Sequence, residues 1–243
     1  MPEWLVKLKG EELDLKAIEE LLHSEWVNVT KESDGYYLAC MDFEGIAAVD
    51  EIRDRARDIL RRASAAERVR CGSCLPLEIE DVFRVEQDGS RRPFSSSSFL
   101  DTFNVRVPHA PVKKGEASAF ALWVKVAAVD ARVDKALRIL ISRDTNWVNL
   151  YHILDVAIGD AGSEIRRQAW EAEGEIRRFK QTANSETTLG DEARHGRETT
   201  EPPPRPMSLG EADLLVRRIL GKWLTWKSAH LPEGVPNPDG LNP

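Results

Sequence analysis

One spacing recurs through the back half of the chain. Between Ala117 and Ile141, the residues Leu122, Val126, Val129, Val133, Leu137 and Leu140 follow one another at intervals of 4, 3, 4, 4 and 3. Such steps keep side chains on one face of a 3.6-residue helix, so the segment predicts one long helix with a buried stripe. Asp144 or Thr145 is placed to cap a second helix, with Trp147, Leu150, Tyr151, Leu154 and Ile158 inward. Gly159 and Gly162 are expected to stop it. Ser163 would open a third, carrying Ile165, Ala169, Ala172, Ile176 and Phe179 on one stripe. Ser208-Leu209-Gly210-Glu211 has the form of a capping box and opens a last helix with Ala212, Val216, Ile219, Leu220 and Trp223 inward. Amphipathic helices of this kind do not persist alone, so the pattern predicts a four-helix bundle over residues 116–228.

The front half reads differently. Short alternating runs give Trp4 to Lys9 as a strand, Asp14 as the cap of a short helix, and Trp26 to Lys31 with Tyr36 to Phe43 as a hairpin around Ser33-Asp34-Gly35. A helix follows with Val49, Ile52, Ala56, Ile59, Leu60 and Ala63 on one face. Strands are expected at Leu75 to Gln87 and Phe99 to Val107, with Gly89 to Ser98 a polar loop between them. The order β-α-β-β-α-β-β predicts a small mixed sheet with two helices, and the whole chain an α+β protein. Pro108 to Gly115 marks the change of composition. The expected organisation is a sheet domain at 1–110, a helical bundle domain at 116–228 and a loose tail at 229–243.

A formal net charge of −7 argues against duplex DNA as a partner, although a local basic patch could still touch RNA. Met1-Pro2-Glu3-Trp4 does not resemble a signal peptide, and no apolar run approaches the length of a membrane span. Three cysteines do not make a secreted disulfide framework. These features predict a cytoplasmic protein without a membrane segment, and no motif points to a cofactor.

Two short stretches could carry chemistry. Cys71-Gly72-Ser73-Cys74 has metal-ligand spacing, but a structural zinc needs four ligands, and only Cys40 and scattered histidines remain to complete the set. A redox role needs the first thiol at a helix N-terminus, whereas this pair follows a helix. Two ordinary thiols in a turn, or a zinc-stabilised binding module using Cys71 and Cys74, are the readings left. The second stretch runs from Lys180 to Gly196 between packed helices. Asn184, Arg194 and His195 are its candidate binding residues: Arg194 offers a fork of donors for phosphate or carboxylate, and His195 can move a proton near neutral pH. The plainer reading is an interhelical loop in which these groups satisfy a helix end.

Other groupings read as structural. His152 and Asp155 share a helix face and suggest a partly buried polar pair. Arg53, Arg55, Arg57, Arg61 and Arg62 interleave with Asp50, Glu51, Asp54 and Asp58, as on a solvated ion-paired face. Trp223 and Trp226 are three apart on the last helix, which suits packing. Phosphate loops, dinucleotide fingerprints, His-Glu-x-x-His and Gly-x-Ser-x-Gly are all missing.

A helical bundle with an Arg/His element between its later helices resembles, in layout over about residues 117–226, the HEPN superfamily. That family holds RNases and non-catalytic members of prokaryotic conflict systems. Arg194 and His195 are adjacent here, unlike the spaced pair usual in the family. The resemblance implies a dimerising or nucleic-acid-contacting helical domain. Two functions follow as expectations: an adaptor or regulatory protein in a bacterial defence or mobile-element system, with a protein partner or homodimer, or a metal-independent RNase using Arg194 and His195 as catalytic residues.

Overall fold

The computed structural model describes residues 3–95, 110–113, 115–142, 144–194 and 201–231. In the front half, β1 (Trp4–Lys9) turns Trp4, Val6 and Leu8 into a buried cluster. It is followed by α1 (Glu12–Leu21), β2 (Val27–Glu32), β3 (Gly35–Cys40), α2 (Val49–Cys71), β4 (Glu78–Val85) and β5 (Arg91–Ser95). The five strands form one sheet in the order β2-β3-β1-β4-β5. Every pairing is antiparallel, where a mixed sheet was expected. The first four strands with α1 and α2 make a split βαβ unit, which β5 extends at one edge. The β2–β3 turn is the expected one at Ser33-Asp34, with the positive φ taken by Gly35 at 151°. A Cβ there would meet only the flexible Lys7 side chain (Cε at 2.8 Å), which can move aside, so the positive φ and not space is what calls for glycine.

β5 falls where a polar loop was expected. Phe94 decides it: its ring packs on Trp4 with centroids 5.8 Å apart, and that burial recruits the polar flanks into the ladder. The strand expected at Phe99 to Val107 lies outside the described residues. α1 also starts earlier than its sequence suggested, at Glu12, and Asp14 is buried inside it.

The back half is helical, as expected: α3 (Glu116–Val129), α4 (Ala131–Ser142), α5 (Trp147–Arg167), α6 (Glu173–Ala183), the one-turn α7 (Glu186–Leu189) and α8 (Leu209–Ser228). The single long helix over Ala117 to Ile141 is broken at Asp130 (φ −113°, ψ 108°). Its carboxylate accepts from the N–H groups of Arg132 (2.9 Å) and Val133 (3.2 Å), which is a cap for α4. The break divides the expected stripe. Val133, Leu137 and Leu140 are buried, Leu122 is half-buried and Val129 is 52% exposed.

The interruption expected at the glycines is present as a kink: Ala161, between Gly159 and Gly162, is non-helical (φ −127°, ψ 22°), and α5 is two helical pieces joined across it, each with its apolar face packed. The helix expected to open at Ser163 is the short second piece, which ends at Arg167 and does not reach Phe179. α5 ends in a Schellman arrangement, with Ala169 N–H bonded to Arg166 O and Trp170 N–H to Ile165 O. The left-handed residue of that motif is Ala169 (φ 47°), not a glycine. The capping box at α8 is present: Ser208 Oγ accepts from Glu211 N–H (3.3 Å), and Glu211 Oε2 accepts from Ser208 N–H (2.8 Å).

Two apolar clusters result, one under the sheet and one among the later helices. α2 and α3 serve both. Ile52, Ile59 and Ala63 with Phe120 and Val124 belong to the first, and Ala65 and Val69 with Val126 and Ala127 to the second. Among the described residues no helix is long and apolar enough to cross a membrane.

Candidate functional site

The polar stretch after α6 folds back onto that helix. Arg194 N–H donates to Ala183 O (2.9 Å), and Ser185 Oγ caps α7 by accepting from Thr188 N–H (3.2 Å). Thr182, fully buried, donates to Arg178 O (2.8 Å) and accepts from Met207 N–H (3.0 Å), tying the approach to α8 against α6. These bonds place Arg194 over α5. Its guanidinium lies 4.0 Å from the centroid of the Tyr151 ring, and its Nη2 is 3.9 Å from Asp155 Oδ2. Tyr151 also stacks on Phe179, with centroids 5.9 Å apart. Arg194 is thus held by an aromatic face and a carboxylate, a geometry that fixes it in place. His195 lies outside the described residues.

Beside this contact a groove of about 390 Å³ opens between α5 and α6, lined by Tyr151, Glu173, Ile176, Arg177, Lys180, Gln181 and Asn184. Asn184 caps the C-terminus of α6 through its backbone, while its side-chain Oδ1 is buried with no hydrogen-bond partner among the described residues. The structure therefore brings Asn184 and Arg194 to the same end of α6.

The remaining candidates sort by burial. His152 and Asp155 are both exposed, not partly buried, because the α5 face carrying them looks outward; Asp155 is engaged by Arg194. On α2, Arg55 and Arg57 form the expected surface pairs with Glu51 and Asp54. Arg53, Arg61 and Arg62 do more. Arg53 reaches Phe94 O of β5 (2.5 Å), and Arg61 and Arg62 converge on Asp134 of α4 at 2.8 and 3.0 Å. Trp223 is fully buried, and Trp226 packs between Trp170 and His230.

Cys71 is the last residue of α2, and Gly72 takes the left-handed conformation that closes the helix (φ 87°). A helix C-terminus disfavours a thiolate. Burial, with a hydrogen bond to Glu67 (3.1 Å), raises the Cys71 thiol, and burial likewise raises Cys74. All three cysteines are free. Among the described residues no group of three or more His, Cys, Asp or Glu side chains is arranged to hold a metal.

Three polar assemblies escaped the sequence reading. Lys227 of α8 bonds both Asp130 and Asp160 at 2.7 Å, and Trp223 Nε1 donates to Asp160 (2.9 Å). Arg68 of α2 holds Asp213 of α8 at 2.8 Å and Thr145 at 3.0 Å. Lys125, 5% exposed, lies 4.1 Å over the Trp26 ring and 3.6 Å from Asp42. Partners separated by 63 to 145 positions in the chain leave no local spacing to read. The one available signal was a charged residue interrupting an apolar stripe, as Lys125 and Asp130 do.

Comparison with protein-family profiles, curated proteins and solved structures found no match to this chain.

Proposed function

We propose that the chain is a non-catalytic interaction protein, engaging a protein partner or a second copy through its helical half. The observation that supports this best is the state of Arg194. A guanidinium that serves a reaction must reach the reacting group, yet this one is set on the Tyr151 ring and beside Asp155. Arg61, Arg62, Arg68 and Arg132 likewise join α2, α4, α5 and α8 through carboxylates and read as fold construction. The reading keeps the HEPN-like layout in its non-catalytic form. It places the protein in the cytoplasm, where Cys40, Cys71 and Cys74 remain thiols.

The test is direct. End-labelled single-stranded RNA, incubated with the purified chain and with Arg194→Ala, should remain intact in both reactions. Cleavage by the parent protein that disappears in Arg194→Ala would overturn the reading in favour of a metal-independent RNase.

A further inference from the structure

Cations in this protein are generally spent on carboxylates. On α6 itself, Arg178 bonds Glu175 and Glu211 and the backbone carbonyls of Arg205 and Pro206. Two residues of the same helix break the habit. Arg177, exposed, and Lys180, half-buried, line the groove beside Tyr151 and make no ion pair or side-chain hydrogen bond among the described residues. Being three apart, they share a face. One carboxylate, Glu173, sits at the lip of the same groove, against these two cations.

The rest of that face is amide. Gln181 and Asn184 continue the stripe. A carboxamide matches a peptide group, since its oxygen accepts an N–H while its nitrogen donates to a carbonyl. A bare phosphate ion has no N–H to give the Gln181 carboxamide oxygen, whereas a peptide does. From Arg177 to Asn184 the helix advances roughly 10 Å, which is about three residues of extended chain. Arg177 and Lys180 are spaced to meet the carboxylates of such a segment, Arg177 by a two-pronged fork.

We infer that the α5–α6 groove docks a short, extended, acidic peptide segment of a protein partner, its carboxylates on Arg177 and Lys180 and its backbone on Gln181 and Asn184. This rests on the interaction reading above and names the chemistry of the partner.

The experiment is fluorescence polarisation on the full chain with three labelled probes: an eight-residue peptide rich in Glu and Asp, its Gln and Asn counterpart, and an oligouridylate. The acidic peptide should bind, and its affinity should fall as salt rises. Arg177→Glu with Lys180→Glu should weaken it roughly tenfold or more, Lys180→Gln should weaken it less, and the surface control Arg57→Glu should leave it unchanged. Unaltered circular dichroism confirms that each variant is folded. The inference is overturned if the neutral peptide binds equally well, if charge reversal changes nothing, if only the oligouridylate binds, or if no probe binds. None of these outcomes decides the catalytic question, which the RNA cleavage assay answers separately.

Discussion

The Lys227 ammonium of α8 lies 2.7 Å from the Asp160 carboxylate of α5, which is 5% exposed. Asp130, at the α3–α4 break, meets the same ammonium at 2.7 Å. One cation therefore joins the ends of three helical segments. Asp160→Asn should cost about 3 kcal/mol, the low end for stranding a buried charge, because Lys227 keeps Asp130. Urea unfolding measures this directly; a loss below half a kilocalorie would show that the seam is ornamental.

The same seam sets a pH dependence. Burial pushes the Asp160 and Asp130 carboxyls up, but the bonds from Lys227, together with Arg132 and Trp223 on Asp160, outweigh it and the net shift is downward. A carboxyl lowered in the folded state contributes its stability above the unfolded value near 3.9 and loses it as pH falls through the folded value. The stability gap between the parent protein and Asp160→Asn should therefore be constant from pH 5 to 8 and close below about pH 4. A gap that widens in acid would contradict the assignment.

Ala169 occupies the left-handed position that ends α5, at φ 47°. That conformation costs an L-residue roughly 1–2 kcal/mol, of which glycine's extra chain entropy gives back about 0.5–1. The side chain is exposed, so no packing is lost. Ala169→Gly should stabilise the protein by about 0.5–1 kcal/mol, seen as a higher urea midpoint at unchanged slope.

The α8 capping box gives a second helix-end test. Ser208→Ala should cost about 1 kcal/mol. The Ser208 N–H, then Arg178 and the Ser208 hydroxyl, lower the Glu211 carboxyl to about 2. Its contribution is whole above the usual glutamate value and disappears as pH falls through about 2. Thermal melts of Glu211→Gln and the parent should therefore converge in strong acid, whereas Ser208→Ala, which loses the non-titrating bond from Glu211 N–H, should keep a gap there.

The thiols should be slow. Burial pushes the Cys40 thiol up to about 12, and Cys71 and Cys74 are raised as well. Iodoacetamide at pH 8 should modify the native chain much more slowly than the urea-unfolded one, and zinc should leave the melting temperature unchanged. Rapid labelling of Cys71 below pH 7, or a zinc-dependent rise in melting temperature, would restore the redox or zinc reading of the Cys71–Cys74 pair.

Taken alone, the amino-acid order determined the periodic part of this protein. Period-two runs at Trp4–Lys9 and period-3.6 stripes at Trp147–Ile158 and Ala212–Trp223 are local, and each dictates its own element and buried face. The capping box was legible for the same reason, since both partners lie within one turn. Tertiary packing decided the rest: the break at Asp130, the recruitment of β5 by Phe94, and the fixing of Arg194 on Tyr151. In each case the favoured state is set by partners remote in the chain, whose contacts outweigh a local preference of about 1 kcal/mol or less. A face such as Arg177–Asn184 takes on meaning only once folding has shown which charges find a partner and which do not.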